Sequence, residues 1–263
     1  MPKSTKKHTG FQSIDRALSK LPAHRAGMPA KDTITAVTTG AGKYTIIHTN
    51  ELDSYEEGAK APGMALVAVA APPAGDNYSG TARKAAKLSI STAKTENFKD
   101  VSDLVKSLVP DAKMVAHKPK IQTTATSKRV KEEERNVHVN AFMYAASREA
   151  DNDFHLIIGR NPTAKPEMYM TMELSGLPPA GSPSLPQLKA ARDAFKKFFK
   201  TKAGSKLPGT TYDFYHPPIP VQIDGSLFFD MTHAKGAHPG PPSLKSRMPT
   251  IWEVHAISKI VLK

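Results

Sequence analysis

The stretch VHVNAFMYAASREADNDFHLIIGRNPTAKPEMYMTMELSG, residues 137–176, decides how the rest of the chain is read. Val137, Val139, Ala141, Met143 and Ala145 alternate with His138, Asn140, Phe142 and Tyr144. That period of two turns successive side chains to opposite faces of a strand. Asp151-Asn152-Asp153 carries turn chemistry, because short polar side chains bond their own backbone. Phe154, Leu156 and Ile158 then oppose Asp153, His155 and Ile157, and Met168, Met170, Met172 and Leu174 oppose Tyr169, Thr171 and Glu173. Three consecutive antiparallel strands are expected.

Downstream, Ser184 with Gln187 three residues later has the spacing of a capping box. Leu185, Leu188, Ala191, Phe195 and Phe198 mark the buried stripe of a helix whose wet side is Lys189, Arg192, Lys196, Lys197 and Lys200. A strand over Val221 to Met231 has Gly225 where a bend or bulge fits, and a last strand runs from Trp252 to Leu262. The order strand, strand, strand, helix, strand, strand over 137–263 resembles the OB-fold superfamily, a five-stranded Greek-key barrel that binds oligonucleotides or oligosaccharides. The resemblance rests on element order. It implies base stacking on the outward rings of Phe142, Tyr144, Tyr169 and Phe228. It also places Lys235, Lys245 and Arg247 in that fold's binding loop after the fourth strand, where they would contact phosphate.

Working back from residue 137, the bridge 111–136 is polar, with Pro110 before it, Pro119, a Thr-rich piece and the charged run Lys128 to Arg135. It reads as a linker, with Val115 or Ile121 available for an edge strand. Residues 32–110 read as a small α+β domain: strands Thr33–Thr39 and Tyr44–Thr49, an apolar run Met64–Ala71, a strand over Lys87–Thr92 and a helix over Asn97–Val109. The turn Gly40-Ala41-Gly42-Lys43 lacks the spacing, the Ser/Thr after the Lys and the following helix of a P-loop. Residues 1–31 read as a basic arm with a short amphipathic helix from Gly10 to Leu21. The expected class is therefore α+β, an N-terminal unit followed by a C-terminal OB-like barrel.

The formal charge of +13 divides as +6 over 1–31, −1 over 32–114 and +8 over 115–263. Such a balance points to a polyanion, single-stranded nucleic acid first. The chain has no cysteine, which excludes disulfides, thiolate zinc sites and cysteine nucleophiles. No apolar run is long enough for a membrane span and no secretory h-region is present, so a cytoplasmic location is expected.

Metal chemistry would have to use His, Asp and Glu. Asp153, His155, Glu173, Asp230 and His233 are the candidate catalytic residues, and the same set with His255 the candidate ligands of a divalent ion. Asp153 and His155 share a strand face that Glu173 can join from the next strand. The competing structural account makes Asp151 and Asp153 a self-bonded turn, His155 and Glu173 a cross-strand pair, and Asp230 a strand-end cap. The strings Glu149 to Leu156, Phe228 to His233 and Trp252 to His255 are similar to those of uncharacterised bacterial proteins, a likeness that carries no activity. Three functions stay open: nucleic-acid binding, metal-dependent phosphodiester hydrolysis, and a non-catalytic protein-interaction module.

Overall fold

Alternation governs most of the strands. The computed structural model describes residues 27–39, 44–53, 74–203, 206–235 and 238–263. In order the elements are β1 (Ile34–Thr39), β2 (Thr45–Thr49), α1 (Lys84–Lys87), β3 (Thr95–Phe98), α2 (Val101–Lys106), α3 (Asp111–Val115), β4 (Asn136–Arg148), β5 (Phe154–Gly159), β6 (Tyr169–Leu174), α4 (Leu185–Thr201), β7 (Asp213–Phe229) and β8 (Trp252–Leu262). The eight strands form one sheet in the order β1-β2-β7-β8-β6-β5-β4-β3. Because β7 also pairs with β4, five of them close a ring: β4, β5, β6, β8, β7 and back to β4. Pairing around the ring is antiparallel except between β6 and β8, which run parallel through Met172 and Val254.

One face of every ring strand fills a single core. Val139 and Met143, Leu156 and Ile158, Met170 and Met172, Ile223 and Leu227, and Trp252 and Val254 are all buried there. The stripe Ala191, Phe195, Phe198 and Phe199 of α4 joins them. Ser184 does not cap α4 as the spacing suggested: its own backbone is helical, and its hydroxyl donates to the Leu88 carbonyl instead. Gly225 sits in a bulge of β7 against β8, as its place in the strand suggested.

The N-terminal segments add to the same sheet and core. β1 and β2 extend the sheet from β7, β3 pairs parallel with the start of β4, and Tyr44, Val101, Leu104, Met114 and Ile121 enter the ring's core cluster. Three local expectations are corrected. Lys87 ends a helical turn rather than beginning a strand, because α1 starts at Lys84. Neither Val115 nor Ile121 lies on a strand, since Val115 ends α3 and Ile121 is in loop. The helix expected over Asn97–Val109 starts only at Val101, where the Asp100 carboxylate accepts from the Ser102 and Asp103 amides. The helix Gly10–Leu21, the turn 40–43 and the run Met64–Ala71 lie outside the described residues. Among the described residues no helix is long and apolar enough to cross a membrane.

The outer face of the ring is covered in turn. Tyr144, Ile157, Tyr169 and Phe214 make a second apolar cluster with Ile34, Val37 and Ile47 of the β1–β2 hairpin and Leu244 and Met248 of the β7–β8 connection. The face read as solvent-exposed is therefore mostly buried.

Candidate metal centre

Period-two alternation places a row of polar side chains on that outer face. Asp153 and His155 come from the start of β5, Glu173 from β6, and Glu253 and His255 from β8. His155 pairs in register with Glu173, and the β6–β8 contact beside it brings the β8 pair alongside. All five side chains are buried. Asp230 and His233 arrive from the end of β7, Asp53 follows β2, Glu149 follows β4, and Lys87 comes from α1. Four overlapping groups have ligand atoms within 4.8 Å of one another: Asp153, Glu173 and His255; His155, Glu173 and Glu253; Asp53, Glu149 and His155; Asp230, His233 and Glu253.

Hydrogen bonds satisfy only some members of these groups. His155 Nδ1 lies 2.5 Å from Glu149 Oε1 and 3.1 Å from the Tyr212 hydroxyl, while Asp53 accepts from the Gly240 amide at 2.6 Å. His233 Nδ1 lies 2.7 Å from Asp230 Oδ2, and the other oxygen of Asp230 accepts from the amide and hydroxyl of Thr232. Asp153 Oδ2, His155 Nε2, Glu173 Oε2, both oxygens of Glu253 and both nitrogens of His255 are buried and make no hydrogen bond. His255 Nδ1 is 3.0 Å from Glu173 Oε2 and 3.6 Å from Glu253 Oε2, and Nε2 is 3.3 Å from Asp153 Oδ2. These are ion-pair distances whose ring N–H directions miss the oxygens.

Charge is equally unbalanced. With Asp151, the cluster holds seven carboxyl groups against three imidazoles and the Lys87 ammonium, which lies 3.7 Å from Asp151 and 4.0 Å from Asp153. The protonation pattern records the strain. Burial, with Glu173 next, pushes the Glu253 carboxyl up to about 8. Burial, opposed by His155, raises Glu149 to about 7, and burial with Asp151 raises Asp153 to about 6. For Glu173 burial is outweighed by His255 and Lys87, and its carboxyl falls well below the usual range. Burial opposes charge on His155 and His255 too, but Glu149 for the first and Glu173 for the second hold them well above the ordinary imidazole value. Protons here do what a cation would otherwise do.

All six candidate ligands read from the sequence thus come together: Asp153, His155, Glu173, Asp230, His233 and His255. Asp53, Glu149, Glu253 and Lys87 were missed. Glu253 had a signal, since it stands two residues before His255 on an alternating strand. The residues expected to stack bases fare differently. Tyr144 and Tyr169 pack edge to face at 4.9 Å and are buried, so neither offers a ring to a base. Phe228 is buried between the Arg83 guanidinium and the His255 ring, and Phe142 is only half-buried at the edge of the second cluster. Arg247 is forked between Glu167 Oε2 at 2.6 Å and the Ser243 carbonyl at 2.5 Å. Lys245 is different: its Nζ is buried and makes no hydrogen bond, burial lowers its pKa, and Asp53 is the carboxylate that opposes this. The contact expected of Lys235 lies outside the described side chains.

Compared with family models, curated proteins and solved structures, the chain finds no match.

Proposed function

We propose that the outer face of β5, β6 and β8 holds a divalent cation and that the protein is a metal-dependent hydrolase of phosphodiesters. The observation that carries this reading is a set of seven buried atoms on five side chains that make no hydrogen bond, five of them held by ion-pair contacts with one another. A buried polar atom left without a hydrogen bond costs about 1–3 kcal/mol, more when charged, and a bound cation would offset that cost. Four of the seven atoms are carboxylate oxygens, whose negative charge a cation would offset.

The proposed ligands are His155, Glu173 and Glu253, with the Asp153, Glu173 and His255 group sharing Glu173 beside them. Each imidazole has one nitrogen against a carboxylate, Glu149 for His155 and Asp153 for His255. That arrangement fixes ring orientation and raises ligand basicity. Asp153 is itself held by the Gly176 amide at 2.6 Å. A divalent ion in such a site acidifies a water and polarises a phosphoryl oxygen. The side chains of Glu149, Asp151, His233 and Lys87, at the edge of the cluster, are 11–20% exposed, whereas the ligands are buried.

Two further features support a polyanionic substrate. The net charge is +13. The ring order, counted as first, second, third, fifth and fourth strand with a helix between third and fourth, supports an OB-like reading. In that fold the second and third strands and the loop between the fourth and fifth bind single-stranded nucleic acid. Here those parts carry His155, Glu173, Asp230, His233 and Lys245.

Hydrolysis of bis(p-nitrophenyl) phosphate and of a labelled DNA single strand, with Mg²⁺, Mn²⁺ or Zn²⁺ added to chelator-treated protein, tests the proposal. Metal-dependent turnover is expected, with Glu173→Gln and His255→Ala each reducing kcat/KM by at least about 100-fold, the upper end of what disturbing a metal site costs. Turnover that survives both ligand substitutions would remove these residues from the mechanism.

A further inference from the structure

The charged run Lys128 to Arg135 has no place in the site described so far, yet two of its side chains are withdrawn from solvent. Arg129 and Glu133 are buried. Glu133 takes a two-pronged bond from Arg83 at 2.6 and 2.7 Å, and Arg83 also donates to the Phe229 and Lys128 carbonyls. Arg129 makes a different set. Its Nη2 donates to the carbonyls of Ala86 at 2.8 Å, Ser89 at 2.9 Å and His255 at 2.6 Å, and its Nη1 donates to the Leu227 carbonyl. One guanidinium therefore joins three pieces of backbone: the end of α1 beside Lys87, strand β7, and the β8 residue that carries a metal-facing imidazole.

We propose that Arg129 is a positioning residue for the metal centre, holding His255 and the Lys87 turn in fixed relation. The inference rests on the metal reading above. Its physical basis is the planar fork of arginine, which presents several N–H groups in a rigid pattern, whereas lysine offers a single point charge on a flexible stem. Every hydrogen bond that Arg129 makes among the described residues ends on a backbone carbonyl, so no partner side chain can be lost to mutation. The position of His255 is set from behind its own peptide. Arg83 is the natural comparison, since it is a buried arginine that immediately precedes the same helical turn, and its guanidinium bonds Glu133 and the Phe229 and Lys128 carbonyls but not His255.

The test uses the full chain and Co²⁺, whose visible absorption reports ligand geometry. Wild-type protein that binds no Co²⁺ overturns the metal reading and this inference with it. If wild type binds, Arg129→Lys is expected to lose about 10- to 100-fold in Co²⁺ affinity, the usual cost of disturbing groups that orient ligands. Its absorption band is expected to change shape, while Arg83→Lys keeps the wild-type affinity and band. Wild-type affinity and band in Arg129→Lys, or equal losses in both variants, overturn the positioning role and leave the metal reading standing. Should Arg129→Lys fail to fold, guanidinium NMR of the wild type decides. Zn²⁺ is expected to shift the Arg129 side-chain resonances and to leave those of Arg135, which pairs with Glu96 away from the site, in place. An unmoved Arg129 signal overturns the proposal.

Discussion

Glu253 concentrates the conflict between folding and function in one side chain. It is fully buried, and neither of its oxygens has a hydrogen-bond partner. With its folded pKa pushed up to about 8, the native state keeps a proton that the unfolded chain releases near the ordinary value of about 4.3. Between those values the native state binds more protons, so metal-free stability falls as pH rises. Glu253→Gln removes the titration and supplies a neutral group that can donate. In chelator, this variant is expected to gain about 1–3 kcal/mol over wild type at pH 8, the cost of one buried unsatisfied group, and little at pH 4. Urea melts at both pH values measure it. The same variant is expected to lose metal binding, so that a residue harmful to the empty fold is useful only to the loaded one. A loss of stability at pH 8 would show that Glu253 is paired in solution.

At the scale of elements, Gly225 shows what the ring requires of β7. A Cβ at this position would lie 2.5 Å from Val254 Cγ1 and 2.7 Å from the Ala256 carbonyl oxygen. The second neighbour is backbone of β8 and cannot swing aside. Gly225→Ala is expected to destabilise by about 1–3 kcal/mol through overpacking. It should also weaken metal binding, because Ala256 follows His255 directly; denaturant melts and Co²⁺ titration of the one variant check both. This glycine was legible in the sequence for the same reason as β4, β5 and β6: a period of two makes strand faces visible, and a glycine interrupting it marks a bulge. What alternation cannot reveal is what covers a face. Tyr144 and Tyr169 stand on the outer side as their positions imply, but Ile34, Val37 and Ile47, over a hundred residues earlier in the case of Tyr169, close over that side. The local patterns that failed were those decided by distant partners. Ser184 gave its hydroxyl to Leu88 rather than to its own helix, and Arg129 of the Lys128–Arg135 run was drawn inward by carbonyls of β7 and β8. The site divides the same way. Asp153, His155, Glu173 and His255 could be found from strand parity, whereas Asp53, Glu149 and Lys87 converge only through the tertiary fold.

For the molecule as a whole, the centre is a tie between segments far apart in the chain. Its ligands and their immediate partners come from β5, β6 and β8, from the end of β7, from the segments after β2 and β4, and from α1. An unfolded chain cannot present such a set, so a cation that binds it binds the native state alone and stabilises it by mass action. At a hundred times Kd this amounts to about 2.7 kcal/mol. For a chain near this length each kcal/mol moves Tm by about 2–4 °C, so saturation with the preferred divalent ion is expected to raise Tm by about 5–10 °C. Thermal melts of chelator-treated protein against Mg²⁺, Mn²⁺, Zn²⁺ and Co²⁺ read this directly, and Glu173→Gln is expected to abolish the rise. The effect has a pH sign of its own. Ligand carboxylates and imidazoles must be deprotonated to bind, so the metal-induced rise shrinks as pH falls, and binding near neutrality releases protons that calorimetry in buffers of different ionisation enthalpy will register. Nonspecific association with a basic protein surface would do neither, since cations are repelled from a chain carrying +13. A Tm that no divalent ion moves at any pH would mean that the seven atoms without a hydrogen bond are satisfied by protons alone, and the hydrolytic reading would fall with the centre on which it stands.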